Sequence, residues 1–170
     1  MRREERGCFA LVQDFQAATA DVDVNVFVEE TDLTKLFAAL ESLGVTLDPE
    51  AAAAAAHADG LIVVFAHGIR VDLFVPSIEF SWEACRTRRG VPIDGHTIYF
   101  LAPTALAVFK MLFFRPKDLV DLDRLLALQA REALDREYVR AHLVEMVGEH
   151  DERVDRWDAL VRADVVRRGG

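Results

Sequence analysis

From residue 21 to 26 the chain alternates polar and apolar, with Val22, Val24 and Val26, continued by Val28, on one side and Asp21, Asp23 and Asn25 on the other. A period of two predicts a strand whose valines face a core. The period then changes. In TDLTKLFAALESLG, the residues Leu33, Leu36, Phe37, Leu40 and Leu43 recur at three- and four-residue spacing, which predicts a helix capped by Thr31 and stopped by Gly44. The alanine run after Pro49 predicts a short second helix on propensity alone. LIVVFAHGIRVDLFVP predicts a β-hairpin turning at His67 and Gly68; in its second strand Arg70, Asp72 and Phe74 share the face opposite Val71, Leu73 and Val75. A helix is expected from Ile78 to Arg88 and a strand from Thr97 to Leu101, where the sheet ends.

From Pro103 the pattern is helical: residues 103–115, a helix after Pro116 with Leu119, Leu122, Leu125, Leu126 and Leu128 as its buried face, then DREYVRAHLVEMVG and DERVDRWDALVRADVV. The composition shift near residue 102 is the candidate boundary. The expected architecture is therefore α/β (α+β): residues 1–102 form a mixed β-sheet flanked by helices, and residues 103–170 a C-terminal helical region packed on it.

Composition narrows the function classes. With 29 acidic against 20 basic residues, a formal charge of −9 argues against a broad basic face that coats nucleic acid. Two cysteines, Cys8 and Cys85, supply neither a disulfide framework nor a zinc site, and His57, His67, His96, His142 and His150 show no ligand spacing with them. No apolar run reaches membrane-spanning length, and the charged start MRREERGCF lacks the apolar core of a signal peptide. A cytoplasmic protein without a membrane partner is the expectation. Trp82 and Trp157 read as core or interface anchors.

The acidic positions carry the chemistry. Asp21 and Asp23 stand two apart on one strand, so their side chains leave the same face about 6.6 Å apart. A solvated acidic face accounts for such a pair, and so does a cation site. If the strand of Asp72 is a neighbour, three carboxylates meet and can hold two divalent ions about 4 Å apart, as phosphoryl and nucleotidyl transfer require. Oxygen-only ligands favour Mg²⁺ or Mn²⁺.

GCFALVQDFQAATADVDVNVF resembles the signature of the DNA polymerase β type nucleotidyltransferase superfamily, in which Gly-Gly or Gly-Ser precedes an Asp-x-Asp strand by about a dozen residues; twelve residues separate Cys8 from Asp21 here. GIRVDLFVP is similar to the segment bearing the third carboxylate, and LAPTALAVFKMLFFRPKDLVDLDRLL to a helical region of the branch that includes AbiEii-type toxin nucleotidyltransferases. The resemblance implies that Asp21, Asp23 and Asp72 are catalytic and ligate Mg²⁺ or Mn²⁺, with Asp72 also the base toward an acceptor hydroxyl. It implies that Gly7 and Cys8 cradle the triphosphate of an NTP at a helix start, and that Lys110, assisted by Arg115 or Lys117, reaches a phosphate. Lys110 reads equally as a surface lysine lying along an apolar helix, and Asp118 and Asp121 as structural partners in the helix after Pro116.

The chain departs from the family pattern in places. Cys8 stands where relatives carry Gly or Ser, Gln16 and Ala17 where a basic residue is common, and MRREER where a helix and an apolar strand precede. Either an incomplete nucleotide cradle or an exposed sheet edge that a second copy covers, giving a homodimer, is expected from that start. Arg86, Arg88 and Arg89 read as a solvated helix end or as contacts to RNA phosphate. Two functions follow: metal-dependent transfer of a nucleoside monophosphate from NTP to a hydroxyl on tRNA, protein or a small molecule, or a catalytically degenerate member acting as a binding or toxin–antitoxin partner module.

Overall fold

The computed structural model describes residues 8–12, 21–128 and 134–169, with the backbone alone for 8–12 and for Asp21. The chain divides into two compact units, residues 1–101 and 102–170.

In the first unit four strands form one mixed sheet: β1 (Cys8–Val12), β2 (Asp21–Phe27), β3 (Leu61–Ala66) and β4 (Ile69–Phe74), in the order β1-β2-β4-β3. β2 and β4 run parallel at the centre, and β1 and β3 pair antiparallel on the outside. Alternation sorts the side chains. Val24, Val26, Ile62, Val64 and Leu73 are buried against Leu36, Phe37 and Leu40 of α1 (Leu33–Ser42) and Ala52 and Ala56 of α2 (Pro49–Asp59), and Val22 and Val71 pack at the margin of that core. The polar positions of β2 and β4 are thereby placed on the other face.

Local chemistry sets the element ends. Asp48 caps α2, its Oδ1 accepting from the backbone N–H groups of Glu50 at 3.0 Å and Ala51 at 3.2 Å, while Pro49 occupies the first turn. Gly60 ends that helix at φ 66°, and a Cβ there would stand 3.0 Å from Ser77 Cβ, so both conformation and space call for glycine. The expected cap at Thr31 shifts by one residue. The chain leaving β2 tightens into a 3₁₀ turn over Glu30–Asp32, closed by Asp32 N–H donating to Glu29 O at 2.8 Å, which leaves Thr31 inside the turn and Asp32 at the cap position.

Two strands differ from the sequence reading. Arg89, expected at a helix end, opens β5 (Arg89–Ile93), which follows α3 (Phe80–Thr87) and pairs antiparallel with β6 (His96–Phe100). Asp94 and Gly95, at φ 48° and 81°, supply the paired positive values of a tight hairpin turn. Cys8, expected beside a helix start, begins β1 as the register partner of Phe27. Gly7, Gln16 and Ala17 lie outside the described residues.

The second unit is helical: α4 (Pro103–Phe113), α5 (Pro116–Ala127), α6 (Arg136–Val147) and α7 (Glu152–Gly169). Val108, Met111, Leu122, Leu126, Val139, Leu143 and Trp157 form its buried core. Trp157 Nε1–H donates to the Arg136 carbonyl at 3.2 Å, which satisfies the one polar atom of that side chain. Leu128, expected on the buried face of α5, is 73% exposed because the helix stops at Ala127. Among the described residues no helix is long and apolar enough to cross a membrane.

Candidate carboxylate site on the central strands

Register brings the acidic positions together. Asp23 of β2 is the direct partner of Asp72 of β4, and Asp72 is in turn the partner of Val63 of β3. The next rung on the same face, two residues along, holds Asp21, Arg70 and Phe65. Neighbouring strands lie about 4.8 Å apart, and residues in register point the same way, so the Asp23 and Asp72 side chains share the face opposite α1 and α2. Val63 and Phe65 on that face are 45% and 64% exposed. The Asp21 side chain lies outside the described residues, and the backbone places it one strand period from Asp23.

Arg70 completes the arrangement. It stands two residues before Asp72 on the same face of β4, and its guanidinium forks the carboxylate, Nε–H donating to Oδ1 at 2.7 Å and Nη2–H to Oδ2 at 3.0 Å. The Asp72 side chain is 14% exposed and Arg70 42%, so the pair sits at the boundary of protein and solvent. A bidentate fork is the strongest form of carboxylate pairing available to a side chain. This partner of Asp72 was missed from the sequence, although Arg-x-Asp on a strand of period two already put the two side chains on one face.

The donor set fits a hard cation in kind, since Asp23 and Asp72 offer carboxylate oxygens from adjacent strands. Among the described residues no group of three or more His, Cys, Asp or Glu is placed to hold a metal ion. A third carboxylate would have to come from Asp21.

The residues expected to bind phosphate are distributed differently. Cys8 is four positions along β1 from Val12, the partner of Asp23, which is about 13 Å at strand rise. Lys110 and Arg115 belong to the second unit, where carboxylates meet them: Lys110 Nζ lies 2.6 Å from Asp121 Oδ2 and 3.6 Å from Asp118 Oδ1, and Arg115 forks Asp118 through Nε at 2.6 Å and Nη2 at 3.0 Å. Asp118 also accepts from the Arg115 backbone N–H at 3.1 Å, closing the first turn of α5. Burial pushes the Asp118 carboxyl up, but hydrogen bonds and charge from Arg115, with the charge of Lys110, outweigh it and hold the group below the ordinary aspartate value. Lys117 is exposed on the first turn of α5.

The arginines near residue 88 are also engaged: Arg86 pairs with Glu83, and Arg88 donates to the Cys85 carbonyl and lies over the Tyr99 ring at 4.7 Å. A separate cavity of about 260 Å³ opens beyond the C-terminal ends of β2 and β4, lined by Val28, Glu30, His57 and Ser77 among others, with His57 Nδ1 at 3.3 Å from Glu30 Oε1. Val28 is five residues past Asp23, which separates that cavity from the carboxylates by about 16 Å of strand.

No family model and no curated protein matches this chain. Among solved structures, an antigenic nucleotidyltransferase-like protein from Paracoccidioides brasiliensis is similar over 89% of this chain and 84% of that chain, at 15% identity and a TM-score of 0.41. A likeness at that level assigns no residue role.

Proposed function

We propose that this chain is a nucleotidyltransferase-like protein that transfers a nucleoside monophosphate from an NTP to an acceptor hydroxyl. The observation that supports the reading is the register of Asp23 with Asp72, which sets carboxylates from two separate segments side by side on the face of the sheet away from the core. Asp23, Asp72 and, by its place on the same strand, Asp21 would hold Mg²⁺ or Mn²⁺. Such an ion, when bound, neutralises the triphosphate and the departing pyrophosphate. Asp72 is assigned the proton of the acceptor hydroxyl, and its carboxylate oxygens become available for it when Arg70 turns away. The acceptor belongs to one of three classes: tRNA, protein or small molecule.

A second reading has its own support. β1 stands where the resemblance implies a phosphate-binding helix start, and Arg70 already holds both oxygens of Asp72. Both features suit a degenerate member that acts as a partner module, of the toxin–antitoxin kind or as a homodimer joined at a sheet edge. Incubation with each labelled NTP, a mixture of candidate acceptors and Mg²⁺ or Mn²⁺ separates the two. Transfer of label that vanishes in Asp23→Ala establishes the enzyme, whereas absence of metal and NTP binding in calorimetry leaves the partner module.

A further inference from the structure

We infer that β3 pairs antiparallel with β3 of a second copy of this chain about a two-fold axis, joining the two four-stranded sheets edge to edge. The inference names the edge for the homodimer of the second reading and holds equally for an enzyme, since it uses none of the proposed catalytic positions. β3 ends the sheet order, with β4 on its inner side and, among the described residues, no strand on its outer side. The opposite outer strand, β1, has β6 packed against it. An outer strand leaves a row of backbone N–H and C=O groups open to pairing, and chains ordinarily guard such a row with a charge, a proline, a bulge or a very short strand. β3 has none of these. LIVVFA is six residues without charge, proline or glycine, and its ladder to β4 runs through consecutive partners from Leu61 to Ala66 without a bulge.

The strand itself selects a second copy as its occupant. A two-fold axis normal to the sheet reverses the strand and keeps its faces, so outward residues oppose outward residues. With the axis at Val64, Val63 of each copy opposes Phe65 of the other, and the two exposed side chains find lateral cover in an aromatic–β-branched pair made twice. Charge permits the approach. The chain carries a net charge of −9, but none of it lies on β3. On β4 behind it, Asp72, the partner of Val63, is forked by Arg70, the partner of Phe65, so no like charges oppose along the seam. Area sets the strength. Val63 and Phe65 together offer on the order of 200 Å² per copy, well below the roughly 800 Å² per partner of a standard interface, so backbone pairing carries most of the affinity and the dissociation constant is on the order of 50 µM.

Sedimentation of the full chain between about 5 and 300 µM should show a reversible monomer–dimer equilibrium. Val63→Lys combined with Phe65→Lys, and Val63→Glu combined with Phe65→Glu, each alter only exposed positions and should be monomeric up to about 300 µM, because like charges then meet across the strands. An equimolar mixture of the two should recover the dimer, which a folding defect in either variant would not allow. Hydrogen exchange reads the same seam without substitution: in the parent chain the amides of β3 should slow about threefold between about 5 and 300 µM, while those of α6 stay constant. A parent chain that stays monomeric overturns the pairing, whether the edge remains open or takes a strand of another protein. So does a double variant that still dimerises, a mixture that stays monomeric, or β3 exchange that is independent of concentration.

Discussion

Asp118 should be the most stability-sensitive charge of the helical unit, and its removal can be sized from its contacts. The side chain is fully buried, accepts from the Arg115 backbone and guanidinium, and has Lys110 Nζ at 3.6 Å. Asp118→Ala deletes a first-turn cap, worth about 1 kcal/mol. Breaking a buried ion pair from one side costs about 3–5 kcal/mol when the remaining charge is stranded. Here the stranding is partial, because Arg115 is half exposed and Lys110 keeps Asp121 at 2.6 Å. The expected total is therefore near the lower bound, about 3 kcal/mol, and about 2 kcal/mol for Asp118→Asn, which retains an acceptor for the backbone N–H. The pH dependence has a definite sign. The folded-state carboxyl titrates below its unfolded value, so the unfolded chain binds the proton first; the stabilisation is present above the unfolded value and is lost as pH falls through the folded one. Urea unfolding of the full chain in a Trp82→Phe background, where Trp157 reports the helical unit, measures both effects. A loss below about 1 kcal/mol in Asp118→Ala, the value of an exposed pair, refutes the reasoning. So does an acid limb of stability as steep in Asp118→Asn as in the parent chain.

Gly68→Ala should cost about 1 kcal/mol in the same denaturation experiment, because φ is 82° there and no atom crowds the added methyl, leaving backbone conformation as the sole cause. Gly90→Ala places a Cβ 2.8 Å from Thr97 Cγ2 and should loosen the β5–β6 hairpin, seen as faster tryptic cleavage at Arg88 and Arg89; an unchanged digest would show that the hairpin absorbs the methyl.

What could be read from the chain followed from how local each signal was. The strand of Asp23, the hairpin at His67 and Gly68, and the helices after Pro103 depend on period and on turn residues, and the structure has them. β5 was hidden because RGVPI contains a glycine and a proline, which a propensity reading discounts; its strand character comes from pairing with β6, and the legible signal was the Asp94–Gly95 turn. β1 was obscured because the stretch beginning GCF matched a phosphate-loop pattern, while CFALV is itself a short apolar run. The register of Asp23 on Asp72 was not legible, because no local feature ties residues 49 positions apart, and only the shared core of Val24 and Leu73 fixes it. The same applies to Asp164, a buried carboxylate that accepts from Arg136 at 2.5 Å and Arg168 at 2.9 Å.

That register also bears on why the acidic positions exist. Two unit charges about 5 Å apart repel by about 3 kcal/mol at an effective dielectric of 20, the value suited to a protein surface. A sheet with no use for the charges has cheaper solutions at those two positions, since threonine or valine pairs across strands at a gain. Arg70 offsets the charge of Asp72 by forking it, and 42% of the arginine side chain meets solvent. The ligand role proposed above accounts for a register pair of carboxylates, a partly exposed guanidinium and open apolar neighbours at Val63 and Phe65 on one face, with stability supplied by the α1–α2 face of the same strands.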